Sequence, residues 1–233
     1  ESLAEAYAIY LENFANDIEM NLWAADILHG QKRHADASLM FARGAELAAR
    51  SKDKKAKTWL ETGLVSEAEI AEISKRATTR EAAYGHYLKL NPEGAIAHKV
   101  RYQRAHLSYE RGQMNDASDR FYLLVTSKAC RPGATKENMD LCVKAADLDL
   151  DALAGAKDHA AVQARSAEYV RLLPTRGQEY GRIQRTSVLK QAERMAPEAA
   201  IAKLAEADID NASTDERVRI LKTRLAAAEK AQD

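Results

Sequence analysis

The chain has 233 residues, 46% hydrophobic and 30% charged, with 35 basic residues against 35 acidic ones. That is enough apolar material for one or two ordinary domains or one extended repeat array, and the cancelled charge argues against binding to nucleic acid or an anionic membrane driven mainly by net charge. No apolar run approaches the roughly 20 residues of a membrane span, so direct membrane insertion is not expected.

In chain order, the punctuation reads as helices throughout. Asp17 is placed to cap a helix carrying Leu22, Trp23, Ile27 and Leu28. Gly30 to His34 reads as a turn, followed by a helix carrying Leu39, Met40, Phe41 and Leu47 and ending near Arg50. A lysine-rich turn or helix start covers Ser51 to Lys57. Ser66 with Glu69, and Thr78 with Glu81, have capping-box spacing. The helix after Thr78 must stop at Asn91-Pro92, because proline cannot continue it. Further helices are predicted over 95–111, 116–126, 136–154, 159–172, 178–195, 197–206 and 214–231. A loop with Pro132 and Gly133 fills 128–135. No stretch alternates polar and apolar residues over a strand's length. Four prolines, ten glycines and abundant alanine agree with an all-α chain.

The helices repeat. Asp-Ala-Ser-x-x-Phe occurs at 36–41 and again at 116–121, each time after Gly-Gln, at Gly30-Gln31 and Gly112-Gln113. On that alignment the first turn is two residues longer than the second. Ala-Tyr-x-x-Tyr-Leu occurs at 6–11 and 83–88, and "YLKLNP" at 87–92 is echoed by "YVRLLP" at 169–174. The marker tyrosines Tyr10, Tyr87 and Tyr169 are 77 and 82 residues apart. A unit of that length holds four helices, or two hairpins, and a lone hairpin cannot bury its second face.

Residues 94–124 resemble a tetratricopeptide repeat (TPR). The small residue of helix A is Ala105, with Tyr109 one place late for its aromatic, Gly112 at the turn, Ala117 early in helix B and Phe121 four later. Arg101 and Arg104 stand where the family has Trp-like and Leu-like residues. The resemblance extends over 18–50 and 79–127, is weaker over 136–174 and poor after 178. It implies an all-α, right-handed α-solenoid of antiparallel hairpins. The expected organisation is a single repeat domain over 1–233, with supra-repeats at about 6–82, 83–166 and 167–233. The first segment occupies the place of a helix B, and there is no start methionine or signal peptide, which reads as a trimmed piece of a longer array. In such a stack helix A lines the concave face, where family position puts Lys99, Tyr102, His106 and Tyr109. That stripe of Tyr and His suits contact with a peptide.

Little competes with this reading as chemistry. Asp147, Asp149, Asp151 and Asp158 have calcium-loop spacing. However, Ala152 replaces the required glycine, and Leu148 and Leu150 fit a helix, so an acidic helix surface is expected. His29 and His34, five apart, do not share a helix face, and no histidine pair has helical metal spacing. Cys142 and His159 lie on different predicted helices. Ser38 and Ser118 have no adjacent base and look incidental, beside Asp36 and Asp116 in first helical turns. No phosphate loop or nucleophile elbow appears. Cys130 and Cys142 are too few for zinc. They leave a short disulfide and two free thiols as open alternatives, the former implying an oxidising compartment.

The resemblance therefore implies a non-catalytic scaffold or adaptor without metal or cofactor, holding protein partners on a concave surface. Self-association is compatible with it. The "YLxxF-x-N" type of helix end resembles TPR proteins of the bacterial cell envelope, which leans the expectation toward a periplasmic or other extracytoplasmic setting. The alternatives are an accessory domain of a larger enzyme or envelope machine, and a helical bundle that binds a small ligand.

Overall fold

In a computed structural model describing residues 3–232, the chain forms twelve helices among the described residues and no strand. They are α1 (Leu3–Asn13), α2 (Ile18–Gly30), α3 (His34–Arg50), α4 (Ala56–Ser74), α5 (Ala77–Leu90) and α6 (Ala97–Glu110). Next come α7 (Met114–Val125), α8 (Lys136–Gly155), α9 (His159–Leu172), α10 (Gly177–Ala192), α11 (Pro197–Leu204) and α12 (Thr214–Lys230). Short 3-10 turns at Lys128–Cys130 and Pro174–Arg176 precede α8 and α10. The helices fall into two compact units, Glu1–Leu107 and Ser108–Asp233.

The hairpins are made by one turn used repeatedly. After α2 the Lys32 N–H donates to the His29 carbonyl and the Arg33 N–H to Leu28, at 2.9 Å each. After α6, Gly112 donates to Tyr109 and Gln113 to Ser108; after α8, Lys157 donates to Ala154 and Asp158 to Leu153. This is the Schellman pattern, which needs a left-handed residue at its apex. The apex residues are Lys32, Gly112 and Lys157, at φ 62°, 72° and 61°. Lys75, at φ 55°, marks the corresponding bend between α4 and α5. The glycine-based alignment of the two Asp-Ala-Ser motifs is therefore corrected. Gly30 is the last residue of α2, Lys32 is the counterpart of Gly112, and the two turns have the same length.

Both Asp-Ala-Ser motifs open a helix, α3 and α7, and bury the same positions. Ala37 and Ala117 are fully buried, as are Phe41 and Phe121. Close approach between helices is carried further at Gly63 of α4, where a Cβ would lie 2.9 Å from the Phe41 carbonyl oxygen. Tyr10, Tyr87 and Tyr169 each sit three residues before the end of their helix, and each carbonyl accepts the N–H of the residue just past it. In the first unit, one core joins Leu64, Tyr84, Tyr87, Val100 and Leu107, and a second joins Leu22, Leu28, Phe41 and Ile70. In the second unit, Val188, Leu189, Leu204 and Ile220 gather α10, α11 and α12.

Two expected caps are displaced. Ser66 lies inside α4, which already runs from Ala56, so the Ser66–Glu69 spacing caps nothing. Helix α5 begins at Ala77, after the left-handed Lys75, and Thr78 falls in its first turn without capping it. In each case the turn geometry or the preceding apolar register sets the start, and the local motif does not. Capping does occur at Asp17, Thr135, Asp158 and Ser213, the last in a full capping box with Glu216. Cys130 and Cys142 are joined by a disulfide with Cα atoms 5.8 Å apart, tying the first 3-10 turn to α8.

The turn assignment is tested by two glycine substitutions that the sequence motif alone would treat as equivalent. Gly112→Ala forces a side chain into the left-handed region and is expected to cost about 1 kcal/mol. Gly30→Ala is helical with open space around the new Cβ and is expected to stabilise by roughly 0.5–1 kcal/mol. Urea unfolding midpoints of the two variants should move in opposite directions.

Candidate functional site

The face of α8 formed by Asp147, Leu150, Asp151 and Ala154 repeats at helical spacing, and so does the face of α10 formed by Glu179, Arg182, Ile183, Thr186 and Lys190. Between them lies a groove of about 570 Å³, with His159 and Val162 of α9 beneath. Leu150 and Val162 are buried and Ile183 is half-buried, so the interior is apolar while the rims are charged. A second cleft, of about 1070 Å³, adjoins it between α10 and residues 211–216, and the two share Arg176, Glu179 and Arg182.

The position of α8 is set by three of its carboxylates, Asp147, Asp149 and Asp151, each of which takes a tyrosine hydroxyl from another helix. Asp147 accepts from Tyr180 at 3.0 Å, Asp149 from Tyr169, and Asp151 from Tyr109. Asp149 has no solvent exposure. Its Oδ1 also accepts from Ser118 at 2.6 Å and from Arg165 at 2.5 Å. Arg165 returns a second bond to the Ser118 hydroxyl at 2.7 Å, and its guanidinium lies 4.3 Å from the centroid of the Tyr122 ring. Burial pushes the Asp149 carboxyl above the ordinary aspartate value, while the bonds from Ser118 and Tyr169 and the Arg165 charge pull it down. Burial likewise raises Tyr169 and Tyr180, helped by the adjacent carboxylates.

Three expectations change here. The Asp147–Asp158 stretch is helical from Asp147 to Gly155, but it is not simply a solvated acidic surface, because Asp149 is a core residue. Ser118 is not incidental: it is buried and bonds to Asp149. His29 and His34 meet across the α2–α3 turn with Nδ1 atoms 3.2 Å apart, a contact that counting along one helix misses.

On α6, Lys99 is exposed and Tyr102 and His106 are half-buried, with ring centroids 5.9 Å apart and stacked. Tyr109 belongs to the second unit and is bonded to Asp151. None of these four lines the α8–α10 groove, whose residues the sequence analysis assigned to no site. One signal was present. Cys142, Ala145, Ala146, Asp149, Ala152 and Leu153 form a single buried stripe on α8, and an acid in such a register needs partners.

In the first unit, His86 of α5 sits between two carboxylates. Its Nδ1 lies 2.6 Å from the buried Glu67 carboxylate, and its Nε2 lies 3.8 Å from Glu46. The Glu67 hydrogen bond lifts His86 above the ordinary histidine value, opposed by burial and by Lys89. Burial, with Arg101, lowers His98.

No family model matches the chain, and no curated protein matches it. Among solved structures it is similar to YrrB, described as a TPR protein with an unusual peptide-binding site. The identity is 12% and the TM-score 0.46, over 99% of this chain and 100% of that one.

The His86 contact makes a signed prediction. The folded state holds this proton more tightly than the unfolded chain does. The stabilisation is therefore complete below the free histidine value, about 6.5, and is lost as pH rises through the raised folded value. His86→Gln should remove that dependence. The stability difference between wild type and variant is expected to be larger at pH 6 than at pH 8.5, and taking the difference cancels the opposite contribution of His98.

Proposed function

We propose that the chain is a non-catalytic interaction module that holds a segment of a partner protein in the α8–α10 groove of its second unit. The observation that carries this is the groove itself: open, apolar along its floor, and edged by charged side chains of two helices. A small-molecule site is ordinarily a deeper concavity that buries most of its ligand. An open trough instead suits an extended chain, which can lay alternate side chains onto the floor. Along α10, Glu179 to Lys190 spans roughly 16 Å at 1.5 Å per residue, room for about five extended residues.

The stacked Tyr102 and His106, with Lys99, are proposed as a separate contact stripe of the first unit, with Tyr109 following on the same helix. The repeats at about 6–82, 83–166 and 167–233 are read as copies of one four-helix unit. The matching positions of Tyr10, Tyr87 and Tyr169 support that reading.

The test is site-specific photo-crosslinking in cells that make the full-length protein. A benzophenone amino acid in place of Thr186, inside the groove, is expected to capture a protein. The same group in place of the exposed Glu198 on α11 is the control and is expected to capture none. Failure at Thr186, or equal capture at both positions, contradicts the proposal.

A further inference from the structure

The charges around the α8–α10 groove differ in what they still lack. Every carboxylate on its rim already has a partner. Asp147 accepts from Tyr180 and lies 3.4 Å from Arg176. Asp151 accepts from Tyr109, and Glu179 pairs with Arg176 at 2.6 Å. Arg182 and Lys190 of α10 line the same groove and have no hydrogen-bond or ion-pair partner among the described residues. In the adjoining cleft Arg185, 4% exposed, pairs with Glu216 at 3.0 Å. Its Nε–H is buried without an acceptor, and so is that of Arg176. The uncompensated character of the joined clefts is therefore cationic.

Resting on the groove reading above, we infer that the segment it takes is extended and acidic, with two carboxylates four residues apart and an apolar side chain midway between them. Arg182 and Lys190 are separated by eight helical residues, roughly 12 Å along the axis. Four extended residues cover about 13 Å, and alternate side chains of an extended chain point the same way. The first and fifth residues then meet Arg182 and Lys190. The third points with them into the middle of the groove, where Thr186 stands midway along α10 and Leu150 and Val162 supply apolar surface. Four residues of helix would cover only about 6 Å and would leave one cation unmet. The pairing uses side chains only, so a free carboxy terminus is not needed.

The test is fluorescence anisotropy on the full chain at low and moderate salt. The probe is a fluorescein-labelled, C-terminally amidated dodecapeptide with Glu-Gly-Leu-Gly-Glu at its centre and Gly/Ser flanks. Three comparators replace both glutamates with glutamine, replace both with lysine, or place the two glutamates side by side. The spaced acidic peptide is expected to bind at least about tenfold tighter than each comparator, and to weaken as salt rises. Arg182→Gln and Lys190→Gln should each reduce the affinity severalfold, and together abolish it. Both are solvent-facing changes that leave the cores intact.

If the glutamine or lysine peptide binds as well as the acidic one, the inference is overturned. If that peptide also blocks capture at Thr186, the groove reading survives. If no peptide binds, the acidic inference falls, and capture at Thr186 alone decides whether the groove reading stands.

Discussion

A carboxylate with no exposure to water stays charged only if its oxygens are occupied, and Asp149 meets that condition with three side chains from two other helices. Ser118 comes from α7, and Arg165 and Tyr169 from α9, so one oxygen pair joins the helices on either side of α8. Such a cluster is weak evidence for net stability, since hydrophobic replacement of a buried pair is often tolerated. What it restricts is register. A slide of α8 by one turn would leave a charge, a guanidinium and two hydroxyls unmatched in a dry core.

The groove follows from that restriction. Asp147, Leu150 and Asp151 share a helix with Asp149, so fixing its rotation also fixes which face of α8 looks toward α10. The same device recurs elsewhere with less burial. Tyr180 bonds to Asp147 and Tyr109 to Asp151 in the second unit. In the first unit Tyr10 bonds to Asp17 at 3.0 Å and Tyr87 to Glu61 at 2.5 Å. A tyrosine suits the task because its ring fills the core while its hydroxyl reaches an acid at the edge. The small residues make the complementary contribution: Ala37, Ala117 and Gly63 let backbones approach, and the buried rings of Phe41 and Phe121, each in its own unit, fill space in the core.

The helices were legible because proline, glycine and turn residues punctuate a chain that otherwise favours helix; α9 in particular runs over the residues its sequence indicates. The duplicated motifs were legible too, since equivalent helices bury equivalent side chains. Two kinds of feature were not. A left-handed turn can be made by lysine as well as glycine, so Lys32 and Lys157 gave no compositional signal, and Gly30 was matched to Gly112 in error. Side-chain partners between helices depend on packing that no local motif encodes. Ser118 and Asp149 are 31 residues apart, and His29 and His34 meet only because a turn folds between them. The groove was missed for the same reason, because its walls lie on α8 and α10 with α9 between them in sequence.

The most direct test of the Asp149 constraint is equilibrium chemical unfolding of Asp149→Ala beside the wild type. Removing the carboxylate strands the Arg165 guanidinium and the hydroxyls of Ser118 and Tyr169. Breaking one side of a buried charged cluster is expected to cost about 3–5 kcal/mol. A loss of that size, or outright failure to fold, is the predicted result. A variant within about 1 kcal/mol of the wild type would show that the register of α8 is held by something else.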